Sequence, residues 1–410
     1  MKEDAAVTLL LERFAYGGEA LGRLPDGRIV FVPYALPGER VRARIVAARR
    51  GRLEAELLEV IDPAPERERP RCRHFGVCGG CHYQHLPYAA QTEAKAAVLG
   101  DLLRRIGKIE AVPLRPVVAA PQAWNYRNHV QFHLTPDGRL GFMEARSAAV
   151  LPIQECHLPE GPLNDLWPAL QFEAGLGLER VSLRLGADGE AMVVFESPEV
   201  PALELEADLS VVHLRGGEAL VLAGDQSLTM SVRGRAFRVS AGSFFQVNTA
   251  MAERMVHYLL ERLPLTPQAA VLDVYCGVGL FSAFLAERVG RLIGIEAAPS
   301  ACEDFAVNLD EFENVELYEG AAEEVLPALS VRPQVVLVDP PRAGLERRAL
   351  EALLALGAKT LAYVSCDPAT LARDARRLLD GGYRLVEVTP FDLFPQTYHI
   401  ESISLFEKPG

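Results

Sequence analysis

The sequence predicts an α/β protein built from a small N-terminal β-barrel, a β-rich middle region and a C-terminal parallel sheet flanked by helices. Residues 5–60 alternate apolar and polar residues in short runs separated by Gly, Pro and Asp, as in small antiparallel barrels. The middle contains hairpin patterns such as NHVQFHLTPDGRLGFMEA. From about Val239 onward, strand-like and helix-like segments alternate, which is typical of a doubly wound parallel sheet.

Length and composition predict a multidomain protein of the cytoplasm. The 410 residues allow two to four domains, and 49% hydrophobic residues are ample for several cores. No apolar run approaches membrane length, and the first residues, MKEDAAVTLLLERF, do not resemble a signal peptide. The seven cysteines, an odd number in a long chain, favour reduced thiols or metal ligands over disulfides.

The charge is unevenly distributed. The net charge is −13, yet residues 1–150 hold 22 Lys/Arg against 17 Asp/Glu, and the remaining residues hold 20 against 38. The densest basic run, RVRARIVAARRGR from Arg40 to Arg52, contains six arginines and no acid. This run predicts either a phosphate-contacting surface or a solvated strand pair with outward charges, and the sequence does not separate the two.

The N-terminal segment carries the first family resemblance. Turns are predicted at Tyr16 to Gly18, Asp26-Gly27 and Pro37-Gly38. The stretch GGEALGRLPDGRIVFVPYALPGERV resembles a TRAM domain, a barrel found on RNA-modifying enzymes. The Pro-rich IDPAPERERPR that follows is interpreted as a linker.

Four cysteines indicate a metal site. CRHFGVCGGC brings three thiols close together, and LPIQECHLP supplies a natural fourth; the four are Cys72, Cys78, Cys81 and Cys156. The preferred interpretation is a four-iron cubane cluster with a structural role, because four protein thiolates leave no iron open. A structural zinc ion and incidental thiols remain alternatives. A radical enzyme is disfavoured, since it requires three residues between its first two cysteines and this chain has five.

The segment between the cysteines mixes a helix with aromatic residues. QTEAKAAVLGDLLRRIG has the apolar spacing of a helix. WNYRNHVQFH combines aromatic residues with Arg127, as RNA-facing surfaces do by stacking and phosphate contact. Ordinary sheet packing explains any single one of these residues equally well.

The C-terminal region predicts a nucleoside cofactor. Gly277 and Gly279 follow the first strand of this region and allow close approach of a ligand, while Glu296 ends the second strand, where an acid can hold two ribose hydroxyls. Asp273 precedes the glycines and DPPRAG follows the fourth strand. The third glycine of a dinucleotide fingerprint is absent, so the set indicates S-adenosylmethionine.

A single cysteine occupies the position of a nucleophile. In AYVSCDPATLARD, an apolar strand ends immediately before Cys366 and a helix begins after it, which places the thiol at the carboxyl end of a strand. Ligands bind at this edge of open α/β sheets. The alternative is a cysteine that fills a gap in the core.

Four motifs together resemble the RNA uracil-5-methyltransferase family. They are SCDPATLARD, DPPRAG, FFQVN and FDLFPQTYHIES, and with the TRAM-like start and the four cysteines they resemble its iron–sulfur branch, which acts on 23S ribosomal RNA. The resemblance implies a class I, Rossmann-like methyltransferase domain, with Cys366 as nucleophile and Glu401 as the base that removes a proton. It also implies that the remaining site residues contact S-adenosylmethionine or its pocket: Gln246, Tyr275, Glu296 and Asp339, beside Gly277 and Gly279. One departure is Gln396, where some relatives have histidine.

The same resemblance implies a division of the chain and a set of partners. We expect a TRAM barrel over 1–60, a central iron–sulfur and RNA-binding domain over 61–90 and 119–238, and a methyltransferase domain over 91–118 and 239–410. We expect RNA as the substrate, with 23S ribosomal RNA preferred over transfer RNA. We also expect a monomer that requires neither a protein partner nor a membrane.

The chemistry of uracil explains why a thiol and a carboxylate are needed. C5 of uracil is too weak a nucleophile to take a methyl group until a thiolate adds at C6. A base then removes the C5 proton so that the thiolate can leave. Two other functions stay open. One is an amino-group methyltransferase that uses DPP, although such enzymes have an aromatic residue at the position of Arg342. The other is an RNA-binding protein with a decayed methyltransferase fold.

Overall fold

The computed structural model describes residues 6–49, 51–202, 204 and 209–409. Within these residues the strands form a closed barrel, two seven-stranded sheets and one two-stranded hairpin. The predicted α/β class, with a barrel at the N-terminus and a β-rich middle, is confirmed.

Five strands form the closed barrel in the spatial order β1-β2-β3-β5-β4. Their bounds are Ala6–Phe14 (β1), Ala20–Arg23 (β2), Ile29–Val32 (β3), Arg40–Arg49 (β4) and Arg52–Asp62 (β5). In β4, Val41, Ala43 and Ile45 are buried and the residues between them are exposed, because successive side chains of a strand face opposite sides. The alternation of apolar and polar residues that predicted the barrel therefore arises because one face of each strand packs in the barrel core.

Acidic residues of β5 offset the arginines of β4. Arg42 pairs with Glu59 at 3.1 Å, and Arg44 forms an ion pair with Glu56. Arg50 lies outside the described residues. These cross-strand pairs favour the solvated strand pair over the predicted phosphate-contacting surface, because the positive charge is neutralised where it is presented.

A seven-stranded sheet in the order β12-β11-β10-β9-β6-β7-β8 forms the middle of the chain. Its strands are His129–Leu134 (β6), Leu140–Met143 (β7), Val150–Pro152 (β8), Arg180–Leu185 (β9), Ala191–Glu196 (β10), Ser210–Arg215 (β11) and Glu218–Ala223 (β12). A short helix, Gly161–Leu166 (α2), and a hairpin, Ser227–Val232 (β13) with Arg235–Ser240 (β14), accompany it. β8 and β12 were not predicted, since β8 has three residues and β12 is an edge strand with exposed Leu220 and Val221.

The C-terminal sheet has the order β17-β16-β15-β18-β19-β21-β20. Its strands are Ala270–Val274 (β15), Arg291–Glu296 (β16), Val315–Glu319 (β17), Val335–Val338 (β18), Thr360–Ser365 (β19), Arg384–Phe391 (β20) and Glu401–Glu407 (β21). β15 to β19 run parallel, and β21 inserts antiparallel between β19 and β20. The strand order reverses between β15 and β18, where open α/β sheets bind ligands.

Helices cover both faces of this sheet. They are Thr249–Arg262 (α3), Leu280–Ala286 (α4), Pro299–Asn308 (α5), Ala322–Val325 (α6), Arg347–Leu356 (α7) and Pro368–Asp380 (α8). Val271 of β15 packs in the core that contains α3, α4 and α5, while the adjacent Leu272 packs in the core that contains α7 and α8. Among the helices of the described residues, none has both the length and the apolar character needed to cross a membrane.

Helix α1, Tyr88–Arg105, joins the C-terminal sheet although it precedes the middle sheet in sequence. The buried Lys95 ammonium donates to a carboxylate oxygen of Asp392 at 2.6 Å and to the carbonyl of Phe394 at 2.9 Å. Burial of an unpaired charge would be costly, so this pair ties α1 to the segment that follows β20.

Candidate active site

The carboxyl edge of the parallel strands gathers side chains from four strands. Tyr275 follows β15, Glu296 ends β16, Asp339 follows β18 and Cys366 follows β19. The antiparallel β21 begins at the same edge with Glu401. Residues far apart in sequence thus meet where ligands bind in such sheets.

Cys366 stands between a buried strand and the start of a helix. All six residues of β19 are buried, and the thiol itself is partly exposed. One carboxylate oxygen of Asp367 caps α8 by accepting from the N–H groups of Ala369 and Thr370, both at 2.9 Å. The thiol therefore sits at a helix N-terminus, where the macrodipole favours a negative charge.

The strand register brings Cys366 and Glu401 together. Ser365 of β19 pairs with Ser402 of β21, so Cys366 directly follows this last pair and Glu401 directly precedes it. Glu401 also pairs with Phe391 on β20 and is only 4% exposed. The Glu401 carboxyl group contributes to the raised pKa of the Cys366 thiol, so the two groups lie near each other.

Burial favours the protonated form of both groups in the free protein. Burial raises the pKa of the Cys366 thiol to about 12, and the carboxyl groups of Glu401 and Asp339 add to the increase. Burial also raises the pKa of Glu401 well above its usual range, with a further contribution from Asp339. The nearby guanidinium of Arg342 lowers the pKa of both groups. Chemistry at this site therefore requires loss of these protons.

The glycine loop after β15 folds against Glu296. The N–H of Gly277 donates to one carboxylate oxygen of Glu296 at 2.9 Å, and two backbone N–H groups after Glu296 donate to the other at 2.7 and 2.8 Å. Gly279 has φ +89°, and a Cβ there would lie 2.3 Å from the side chain of Leu309. The glycine is thus required by both backbone conformation and space.

Two acids lie close to Glu296: Asp273, which is buried, and Asp339, which is half-buried. Burial raises the pKa of Asp273 and of Asp339 to about 7. The hydroxyl of Ser282 donates to one oxygen of Asp273 at 2.6 Å, and the other oxygen has no partner among the described residues. A buried acceptor without a donor suits a ligand that brings a hydrogen bond or a positive charge.

A cavity of about 620 Å³ opens at this edge, next to Tyr275 and Glu296. Gly320 and Glu323, which follow β17, and Pro341, which follows β18, also line it. Its volume suits a nucleoside-sized molecule. The other predicted cofactor contacts are not among its lining residues: Gln246, Gly277, Gly279 and Asp339.

The FFQVN loop approaches the sheet from the side of α5. Asp304, a buried acid of α5, accepts hydrogen bonds from the N–H and hydroxyl of Ser240, both at 2.7 Å, and from the hydroxyl of Ser243 at 2.6 Å. The anchored loop then buries Gln246 and leaves Phe244 68% exposed. The sequence did not single out Asp304, because an acid within a helix carries no signal of such a contact.

The sequence also did not predict a contact between the barrel and the segment that follows Cys366. The hydroxyl of Tyr16, in the turn between β1 and β2, donates to Asp367 at 2.8 Å. Its ring lies edge-on to the ring of Tyr398, with centroids 5.5 Å apart. The ring of Tyr398 in turn lies edge-on to that of His82, with centroids 4.6 Å apart. Tyr16 and Asp367 are 351 residues apart, so no local pattern could predict the contact.

Gln396, the departure from the family pattern, holds the segment that precedes Glu401. Its main chain has φ +70°. Gln396 and Gln91 exchange two hydrogen bonds, of 2.9 and 3.0 Å, and the Gln396 carbonyl accepts from the N–H groups of His82 and Tyr83. These contacts fix the segment to α1 and to the cysteine segment.

The four predicted metal-ligating cysteines share one cavity of about 550 Å³; they are Cys72, Cys78, Cys81 and Cys156. Burial raises the pKa of Cys81 to about 12 and that of Cys156 to about 11. Across residues 6–49, 51–202, 204 and 209–409, no three His, Cys, Asp or Glu side chains are grouped as they would be around one metal ion. The structure thus collects the four thiols, and a metal group there stays a prediction.

Comparison with known proteins supplies the family context. Residues 206–409 match the model of the tRNA (uracil-5-)-methyltransferase family, and residues 5–58 match the TRAM domain. An uncharacterized RNA methyltransferase of Halalkalibacterium halodurans is 34% identical over 99% of this chain and 98% of its own length. One of Streptomyces avermitilis is 34% identical over 96% of each chain. The crystal structure of the Pyrococcus abyssi tRNA (uracil-54, C5)-methyltransferase in complex with S-adenosyl-L-homocysteine is similar, with a TM-score of 0.74, 25% identity, and coverage of 98% of this chain and 100% of that one.

Proposed function

The chain belongs to the RNA uracil-5-methyltransferase family, and from this premise we propose that it methylates C5 of a uridine in RNA with S-adenosylmethionine as the methyl donor. The observation that carries the proposal is that Cys366 and Glu401 lie at the same edge of the sheet as Glu296, which lines the cavity. A nucleophile and a base at one sheet edge are what C5 methylation requires.

Cys366 activates the uracil ring in this proposal. As a thiolate it forms a bond to C6, and the electrons of the C5–C6 double bond move into the C4 carbonyl as an enolate. The enolate carbon C5 then takes the methyl group. The helix N-terminus at Asp367 and the guanidinium of Arg342 both favour the thiolate that begins this sequence.

Glu401 completes the reaction. The methylated C5 still carries its proton, and Glu401 as a carboxylate accepts it. The electrons of the C5–H bond re-form the C5–C6 double bond, the C6–sulfur bond breaks, and the Cys366 thiolate is restored. A carboxylate whose pKa is raised by burial is a stronger base than an exposed one, which suits this step.

The proposed cofactor site combines the cavity with the acids beside it. When bound, S-adenosylmethionine supplies an electrophilic methyl group on a positively charged sulfur. We propose that Glu296 accepts from the ribose hydroxyls and that Tyr275 contacts the cofactor within the cavity. The unpartnered oxygen of buried Asp273 fits a cationic ligand. The other proposed contacts are Gln246, Gly277, Gly279 and Asp339.

We propose 23S ribosomal RNA as the substrate, with transfer RNA as the second candidate. The four cysteines and the TRAM barrel support ribosomal RNA, since the family's iron–sulfur branch acts on it. The similarity to the Pyrococcus abyssi enzyme, whose name gives uracil-54 of tRNA, supports the second candidate. The exposed Phe244 provides a ring on which an unstacked base can stack in either RNA.

We further propose that the four cysteines hold a four-iron cluster. Their shared cavity supports this proposal. The N–H groups of His74 and Gly80 donate to the sulfurs of Cys72 and Cys78 at 3.4 Å, and such bonds stabilise cluster thiolates. A structural zinc ion is the alternative, although zinc sites more often take their ligands as two close pairs.

The predicted division of the chain remains part of the proposal. A barrel over 1–60, a central domain over 61–90 and 119–238, and a methyltransferase domain over 91–118 and 239–410 are supported by the Lys95–Asp392 pair, which attaches α1 to the C-terminal sheet. We propose that the protein works as a monomer in the cytoplasm.

A comparison of RNA from wild-type and deletion strains tests the function. Ribosomal and transfer RNA would be isolated separately and 5-methyluridine mapped in each. We expect one or more uridines of 23S ribosomal RNA to lose the methyl group in the deletion strain and regain it when the purified protein and S-adenosylmethionine are added. Loss from transfer RNA alone would select the second substrate, and no loss from either would contradict the proposed activity.

A further inference from the structure

The turn between the first two barrel strands reaches the catalytic edge of the C-terminal sheet. The hydroxyl of Tyr16 is 2.8 Å from one carboxylate oxygen of Asp367, the residue directly after Cys366. Gly18, in the same turn, lies so close to His82 and Tyr398 that a Cβ there would be 2.9 and 3.2 Å from their Cβ atoms. The barrel is therefore packed against the segments that carry both proposed catalytic residues.

The two oxygens of Asp367 have separate partners. One accepts from the N–H groups of Ala369 and Thr370 and so begins α8, while the other accepts from Tyr16. Burial and the Asp367 carboxylate raise the pKa of Tyr16, so the hydroxyl keeps its proton and remains a donor. Loss of the Tyr16 hydroxyl would leave a partly buried carboxylate oxygen unpaired and free the cap to rotate away from the helix.

We infer that Tyr16 is a positioning residue of the active site, which holds the Asp367 cap and thereby fixes the Cys366 thiol at the start of α8. The TRAM barrel is thus part of the catalytic assembly. The inference rests on the proposed function, because it assigns the role of the contact to the reaction of Cys366.

Tyr16→Phe removes the hydroxyl and keeps the ring that packs on Tyr398. We expect kcat for RNA methylation to fall about tenfold, because a hydrogen bond to a charged group is lost. The KM values for RNA and S-adenosylmethionine should stay within about twofold, since Tyr16 lines neither the cavity beside Glu296 nor the surface around Phe244. Hydrogen exchange of the amides of Ala369 and Thr370 should accelerate, which a mere loss of RNA affinity would not cause.

Arg13→Gln is the matched control. Arg13 pairs with Asp101 of α1 at 3.0 Å, so this change removes another contact between barrel and body without touching α8. We expect it to leave kcat and the exchange of the α8 amides unchanged. If Arg13→Gln reproduced both effects, the contribution of Tyr16 would be general docking of the barrel, and the inference would be wrong.

A double-mutant cycle with Asp367→Ser completes the test. Serine still caps a helix but is too short to keep the Tyr16 contact. Tyr16→Phe should have no further effect on kcat in this background, because coupled residues are not additive. Additive effects, or Tyr16→Phe with wild-type kcat and exchange, would overturn the inference. A wild-type protein that forms no 5-methyluridine would instead contradict the proposed function, and the exchange measurement would still report on the contact.

Discussion

Cys366 directly follows, and Glu401 directly precedes, the last residue pair of β19 and β21, Ser365 with Ser402, and burial raises the pKa of both. Both shifts favour the protonated forms of two side chains that the reaction needs as anions. The Glu401 carboxyl group also adds to the cost of ionising Cys366. Ionisation is thus the step on which activity at this site depends.

The first prediction concerns pH. Because the active forms are thiolate and carboxylate and both pKa values are raised, activity should increase as pH rises. We expect kcat/KM to rise steadily from about pH 6 to about pH 8.5, without a maximum near neutrality, since kcat/KM reports the groups of the free enzyme. Initial rates with saturating S-adenosylmethionine would measure this. A profile that falls above neutral pH would show that a protonated group is required instead.

The second prediction concerns cofactor binding and protons. The pKa values of Asp273 and Asp339 are raised to about 7, so each is roughly half protonated at neutral pH in the empty site. The positive sulfur of S-adenosylmethionine should favour their ionised forms and release about one proton on binding. Calorimetry in buffers of different ionisation enthalpy measures the released protons.

S-adenosylhomocysteine is the natural control for this experiment, because it lacks the methyl group and the charge and keeps the rest of the molecule. Binding of S-adenosylhomocysteine should release clearly fewer protons. The affinity for S-adenosylmethionine should increase as pH rises through about 7, whereas the affinity for S-adenosylhomocysteine should not. Equal proton release for the two ligands would mean that these acids do not face the sulfur.

The third prediction concerns Glu296. Glu296→Ala removes the acceptor of the ribose hydroxyls and the partner of the Gly277 N–H, so affinity for S-adenosylmethionine should fall at least about tenfold. Calorimetric titration measures the change. Glu319→Ala, at the end of the adjacent strand β17 and exposed, is the control and should bind normally. Equal affinities of the two variants would remove Glu296 from the cofactor site.

Part of the candidate site could be predicted from the sequence alone. The elements that carry Cys366, Glu296 and Glu401 were predictable, because buried strands, glycine loops and capped helices leave local patterns. That Cys366 and Glu401 act at one site was expected only through the family resemblance. Strand order and register are set by tertiary packing, so no local pattern encodes them.

Contacts between distant segments were beyond sequence reasoning. The bond from Tyr16 to Asp367 and the anchoring of Ser240 by Asp304 join residues that share no spacing rule. The arginines of β4 show the opposite case, because a conspicuous basic run proved to face acids on the neighbouring strand β5. A charge pattern in one strand does not reveal the charges that pair with it.

The fourth prediction concerns the cysteine cavity. Protein purified without oxygen should be brown and contain about four irons per chain if the four cysteines hold a cluster. Cys81→Ser should lose the iron and the colour, because one ligand is removed, whereas Cys302→Ser, outside the cavity, should keep both. Colourless protein with about one zinc per chain would contradict the cluster.

The fifth prediction separates the two catalytic roles. Cys366→Ala removes the group that activates C5, so neither methyl transfer nor a covalent protein–RNA species should form. If Cys366 only filled a gap in the core, Cys366→Ala would keep the activity and lower the free energy of unfolding by about a few kcal/mol at most. Glu401→Gln leaves addition and methylation possible, while the C5 proton that must leave before elimination remains in place. The covalent adduct should therefore accumulate in this variant.

The most direct measurement of the proposed mechanism is denaturing gel electrophoresis of the Glu401→Gln protein after incubation with RNA and methyl-labelled S-adenosylmethionine. The mechanism predicts a protein–RNA band that survives denaturation, carries the methyl label and disappears when Cys366→Ala is added to the same chain. A Glu401→Gln protein that turns over normally without such a band, or a Cys366→Ala protein that still forms 5-methyluridine at the wild-type rate, would contradict it.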